Sequence, residues 1–157
     1  MPALILHHYP LSPFAEKIRR VLAFKQLAWT SVTIPMVMPK PDLTALTGGY
    51  RKTPVLQIGA DIYCDTALIC DVLEHIEPEP TLYPPHHKGL ARIVAQWADT
   101  SLFWSAMAHS MRAQGAAEIF GTQAPEVGKS FAQDRSAMRV AVPRVGANDA
   151  AGACQSY

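Results

Sequence analysis

Apolar positions along this chain change period several times, and each change marks a predicted element. Residues 3–6, ALIL, are continuously apolar and end in His-His-Tyr-Pro, which suits a short buried strand. From Ser12-Pro13 the period lengthens. Phe14, Ile18, Val21 and Leu22 fall on one helical face, with Glu16, Lys17, Arg19 and Arg20 elsewhere. Serine is a favoured N-cap, and proline is accepted at the first helical position because its missing N–H would have no partner there. WTSVTI at 29–34 is rich in β-branched residues and predicts a second strand closed by Pro35. Pro39, Pro41 and Gly48-Gly49 leave room for one or two helical turns around residues 43–46. VLQI at 55–58 and DIYC at 61–64 predict a hairpin across Gly59-Ala60. Asp65-Thr66 then opens a helix whose apolar side is Leu68, Ile69, Val72, Leu73 and Ile76, stopped before Pro78.

The resulting order over residues 1–77, β-α-β-α-β-β-α, predicts an α/β unit of one sheet with helices packed on it. PEPTLYPP at 78–85 has four prolines in eight residues and is expected to be a stiff linker between domains. Beyond it the pattern is helical. Leu90, Ile93, Val94, Trp97, Trp104, Met107 and Met111 fall near one stripe of a helix over 86–113, and a second helix is expected over 124–140 with Val127, Phe131 and Met138. From Val142 no apolar period remains, and an irregular tail is expected. Residues 86–157 therefore predict only a partial helical domain.

Composition narrows the function classes. With 157 residues, 49% hydrophobic and 17% charged, the chain can bury one good core or two small ones. A formal charge of +1 with scattered basic residues argues against nucleic acid or anionic lipid as partner. Three cysteines without a CxxC pair or a signal sequence argue for a reducing cytoplasm, and no apolar run is long enough to span a membrane. The expectation is a soluble, cytoplasmic protein. His7-His8 and His86-His87 have no carboxylate or cysteine at ligand spacing, so no metal is expected.

Four features lie where predicted strands meet helices. Ser12 would sit at a helix N-terminus, where backbone N–H groups and the dipole favour an anion. Thr53-Pro54 is a candidate cis peptide that would turn the Thr53 backbone toward an extended ligand. Asp65-Thr66 is a second helix start with a carboxylate and a hydroxyl together. Lys40, between Pro39 and Pro41, is a held cation. Taken one at a time, each has a plain structural reading: two N-caps, a trans connection into a strand, and a solvated loop charge.

Together they carry a resemblance. SPFAEKIR, then KTPVLQIGADIYCDTALICDVLE about forty residues later, resembles the N-terminal domain of the glutathione transferases, a thioredoxin-like fold, over residues 1–77. The likeness continues more weakly into the first helices of that family's all-helical second domain. It implies that Thr53, beside a cis Pro54, pairs with the cysteinyl part of glutathione, and that Asp65 and Thr66 take the γ-glutamyl ammonium and carboxylate. Lys40 in PKPD resembles the omega-like lysine for the glycyl carboxylate. That subgroup carries cysteine where Ser12 stands, so a mixed disulfide is not available here. Serine is instead what other groups use to donate to the bound sulfur, and stabilising the thiolate lowers a thiol pKa from about 8.5. Tyr9, at the end of the first strand, is the rival donor. Trp104, Met107 and Met111 would wall an apolar site for an electrophile, or belong to plain core.

The implied activity is conjugation of glutathione to a small apolar electrophile, a detoxification chemistry, by a homodimer. The alternative is a glutathione-binding or protein-interaction module without turnover. It is favoured by the family helices absent from this sequence, one of which packs under the substrate site.

Overall fold

The computed structural model describes residues 2–121 and 124–136. The expected irregular tail and Met138 lie outside them. Two compact units divide the chain, Met1–Leu82 and Tyr83–Tyr157.

In the first unit, β1 (Leu4–His8) is followed by α1 (Pro13–Phe24), β2 (Trp29–Thr33), α2 (Pro41–Thr47), β3 (Val55–Ile58), β4 (Asp61–Cys64) and α3 (Thr66–Ile76). The four strands form one sheet in the order β2-β1-β3-β4. β2 runs parallel to β1, and β3 and β4 are antiparallel to their neighbours. This is the thioredoxin-like arrangement that the sequence predicted.

Alternation along β1 builds the two faces of the sheet. Leu4 and Leu6 join Leu56 of β3, Ile18 and Leu22 of α1, and Ile69 and Leu73 of α3 in one cluster. Tyr9, Ile34, Val55 and Leu43 of α2 form a second cluster. Helix α2 ends at Gly48, whose φ of 65° suits the left-handed cap position that glycine adopts without steric cost.

Several expectations change here. The first strand does not stop at residue 6 but continues through His7 and His8, because both imidazoles find hydrogen-bond partners on the sheet. The inner face of α3 is Thr66, Ile69, Cys70 and Leu73, whereas Leu68 is exposed. Residues 78–82 also pack into the first unit. The side chain of Lys25, fully buried, bonds Glu74 Oε2 at 2.6 Å and the carbonyls of Glu77 and Pro80 at 2.5 and 3.1 Å. Glu74 in turn accepts from Thr81 Oγ1 and from the Leu82 N–H. Proline stiffness alone does not define this segment, because a charged network clamps it to α1 and α3.

In the second unit, α4 (Lys88–Trp97) passes through a π-helical turn at Ala98–Leu102 into α5 (Phe103–Ser110). α6 (Ala113–Phe120), which the sequence pattern missed, and α7 (Ala124–Ser136) come next. The single stripe expected from Leu90 to Met111 is therefore not continuous. A π turn inserts a residue and rotates the downstream helix by about 100°. Leu90, Ile93 and Val94 are 61, 66 and 50% exposed, whereas Trp97, Trp104, Met107 and Met111 are half-buried. Phe120 and Phe131 pack α6 on α7 with ring centroids 6.0 Å apart. No helix among the described residues is long and apolar enough to cross a membrane.

Candidate functional site

Sheet register gathers the four features at one end of the first unit. His7 of β1 pairs with Val55 of β3, which pairs with Cys64 of β4, while His8 pairs with Thr33 of β2. The last residues of β1, β2 and β4 and the first of β3 thus line up. The segments that begin with Tyr9, Ile34 and Asp65, and the Thr53-Pro54 step into β3, all leave from that edge.

Ser12 is 2% exposed and caps α1, with its Oγ accepting from the Ala15 N–H at 3.2 Å. The Ser12 N–H donates to the Tyr9 carbonyl at 3.1 Å, closing a tight turn after β1. A capping serine accepts through oxygen and retains its hydroxyl proton for donation, so capping and sulfur donation are chemically compatible. Tyr9 belongs to the cluster with Ile34, Leu43 and Val55.

Lys40 is not the solvated loop charge of its plain reading. Lys40 is 2% exposed, and its Nζ donates to Thr53 Oγ1 at 3.1 Å and lies 5.5 Å over the Tyr9 ring. Both Lys40 and Thr53 are therefore held on the same side as Tyr9. The Thr53-Pro54 bond is cis, as are Met38-Pro39 and Glu79-Pro80.

Asp65 is exposed and caps α3, its Oδ1 accepting from the Ala67 N–H at 2.8 Å. Its φ of 82° is unusual for a residue with a Cβ and is tolerated by aspartate better than by most. Thr66 is buried, and its Oγ1 accepts from Lys17 Nζ at 3.1 Å. A cation beside a helix N-terminus reinforces the attraction of that end for a carboxylate.

Lys17 is a candidate site residue that the sequence reading did not single out. It stands forty-nine residues from Thr66, and only the packing of α1 beside α3 joins them. Tyr50 is another. Burial pushes its phenol up to about 12, the charges of Asp65 and Cys64 add to the shift, and a hydrogen bond from the Asp65 backbone opposes it. The phenol is thus a neutral neighbour of the α3 cap. Burial also pushes the Cys64 thiol up. Among the described residues no group of three His, Cys, Asp or Glu is placed to hold a metal.

Trp104, Met107 and Met111 lie in the second unit, on α5 and the residue after it. Phe103 packs edge-on to Trp104 with centroids 5.1 Å apart.

Comparison with known proteins agrees with this fold. Residues 6–81 match the family model described as glutathione S-transferase, N-terminal domain. A GST-like protein from Pseudomonas syringae is 49% identical in sequence with a TM-score of 0.69, over 88% of this chain and 49% of that one. FzlA from C. crescentus is 25% identical with a TM-score of 0.63, over 98% of this chain and 77% of that one. FtsZ-localized protein A of Caulobacter vibrioides (strain NA1000 / CB15N) is 27% identical over 99 residues, 60% of this chain and 43% of the relative. The chain spans about half the length of that relative and of the Pseudomonas protein.

Proposed function

We propose that this chain is a member of the glutathione S-transferase family, whose N-terminal-domain model its residues 6–81 match, and that its first unit binds glutathione and presents the thiol to an electrophile. The observation that carries this reading is the convergence, at one end of the sheet, of two capped helix starts with two lysines. Asp65 offers a carboxylate to the γ-glutamyl ammonium. The α3 N-terminus, Thr66 and Lys17 offer donors to the γ-glutamyl carboxylate. Thr53 lends its backbone to the cysteinyl residue, and Lys40 supplies a cation for the glycyl carboxylate.

The sulfur then meets Ser12. Its O–H donates to the thiolate, and the α1 N-terminus adds a favourable field, so the bound thiol ionises at lower pH than the free one. The thiolate attacks the electrophilic carbon of a small apolar substrate, forms the C–S bond and displaces the leaving group. The setting proposed is the cytoplasm.

Ser12→Ala is expected to raise the apparent pKa of bound glutathione while leaving its affinity within about threefold, because the thiol is one contact among many. Thiolate absorbance titrated against pH checks this. A shift produced by Tyr9→Phe and not by Ser12→Ala would transfer the donor role to Tyr9.

A second reading, a protein-interaction module without turnover, is favoured by the kinship with FtsZ-localized protein A and by the bare Leu90, Ile93 and Val94 on α4. In either reading we expect a homodimer to cover that apolar face. Light scattering should report twice the chain mass at micromolar concentration, and a stable monomer that binds no hydrophobic dye would contradict it. Glutathione binding by calorimetry, paired with turnover of an activated aryl halide, separates enzyme from module.

A further inference from the structure

Behind the Ser12 turn, on the α1 face of the sheet, lies a polar cluster outside the residues assigned above to the tripeptide. Arg19 sends Nη2 to the Pro10 carbonyl at 3.0 Å and Nη1 to His8 Nδ1 at 3.0 Å, and pairs with Glu16 through Nε at 2.9 Å. One guanidinium therefore joins the end of β1, the turn that leads to Ser12, and the first turn of α1. His8 is 5% exposed, its ring stands edge-on to Trp29 with centroids 5.6 Å apart, and its Nε2 lies 2.8 Å from Ser31 Oγ.

The donors fix the protonation state of the imidazole. Arginine has N–H groups only, so His8 Nδ1 must accept, and the proton of the neutral ring belongs on Nε2, where it donates to Ser31. A proton added at Nδ1 would set an N–H against a guanidinium N–H. The charged groups facing His8 are Arg19 and, behind it, Glu16 on α1; β2 presents the uncharged Ser31 and Trp29. Burial first, and then the Arg19 charge, hold the imidazole below its ordinary 6.5, while the Tyr9 backbone opposes the shift.

We propose that Arg19 is a positioning residue for the Ser12 hydroxyl, acting through the Pro10 carbonyl, and that it holds the turn only while His8 is neutral. By linkage, a basic group depressed in the folded state binds more protons when the turn is released, so the bracket is intact above 6.5 and weakens as pH falls below it. The consequence for glutathione rests on the reading that Ser12 meets the sulfur, whereas the geometry of the turn does not.

The test is therefore double. Amide hydrogen exchange compares Ser12, whose N–H is bonded to the Tyr9 carbonyl, with Leu22 farther along the same helix. Arg19→Gln should speed Ser12 exchange at least tenfold and leave Leu22 within twofold. Arg19→Lys should not restore protection, because one ammonium cannot replace a planar fork that serves three acceptors. In the unaltered protein, Ser12 protection corrected for intrinsic rate should fall at least fivefold between pH 6.5 and 4.5, with Leu22 unchanged. Arg19→Gln should also raise the apparent pKa of bound glutathione, as Ser12→Ala does.

Unaltered Ser12 exchange in Arg19→Gln overturns the proposal. If that variant does not fold, which Leu22 reports, a flat Ser12 profile from pH 6.5 to 4.5 in the unaltered protein overturns it. Should Ser12→Ala leave the thiol pKa unmoved while Arg19→Gln still frees the Ser12 amide, the sulfur reading fails and the positioning role stands.

Discussion

Glu74→Ala is expected to cost the first unit about 3–5 kcal/mol of stability, the scale of breaking a buried ion pair by deleting one partner. The Lys25 side chain is 0% exposed, and Glu74 faces it with a carboxylate oxygen at 2.6 Å. Removing that carboxylate leaves an ammonium served by two backbone carbonyls and deprives Thr81 and the Leu82 N–H of their acceptor. Urea unfolding followed by tryptophan fluorescence and circular dichroism measures the loss. Lys25→Met combined with Glu74→Leu should recover much of it, since two apolar groups leave no buried charge behind. A cost below about 1 kcal/mol for Glu74→Ala would show that water replaces the carboxylate.

The same clamp predicts an acid limb. Burial alone would raise the Glu74 carboxyl, but hydrogen bonds from Lys25, Thr81 and the Leu82 N–H outweigh it and hold it below its ordinary 4.5. A depressed carboxyl contributes stability that is present above its unfolded value. That contribution is lost as pH falls below 4.5 through the folded-state value. Glu74→Gln should flatten this part of the pH–stability curve.

Asp65→Ala is expected to weaken glutathione binding by about 1.5–3 kcal/mol, roughly 10- to 150-fold, the worth of a hydrogen bond to a charged group. Asp65 has a second role, because its Oδ1 caps α3. Alanine loses the cap, at about 1 kcal/mol of helix stability, and must also adopt a φ of 82° without a polar side chain. Asp65→Asn separates the two roles. Asparagine still accepts from the Ala67 N–H and tolerates the left-handed backbone, but it offers the ammonium a neutral oxygen. It should keep most of the thermal stability and lose an intermediate share of the affinity, with calorimetry and thermal unfolding read side by side. Unchanged affinity in both variants would remove Asp65 from the ligand site.

Much of this arrangement is legible in local residue order because its determinants are local. Ser12 before Pro13 and Asp65 before Thr66 specify helix starts by capping chemistry confined to three or four residues. The periods of two and 3.6 place Leu4, Leu6, Ile18, Leu22, Ile69 and Leu73 toward one core. Where the reading failed, the deciding neighbour was distant or the period was interrupted. Taken alone, Lys40 reads as a loop charge because Thr53 and Tyr9, which meet its ammonium, are thirteen and thirty-one positions away. Leu90, Ile93 and Val94 separated from Trp104 and Met107 because a π turn at Ala98–Leu102 carries no residue signature that periodicity detects.

The sequence by itself determined the order of elements in the first unit, the two capped helix starts and the family motif, since each depends on the chemistry of a few consecutive residues. Tertiary structure decided what the charges meet: Lys40 at Thr53 and Lys25 in the Glu74 clamp, both buried, and the half-buried Lys17 at Thr66 and Arg19 on the Ser12 turn. The physical reason is that a lysine or arginine carries a long apolar stem with a charged tip. Local order fixes where the stem begins, while the acceptor that meets the tip is brought there by packing of another element.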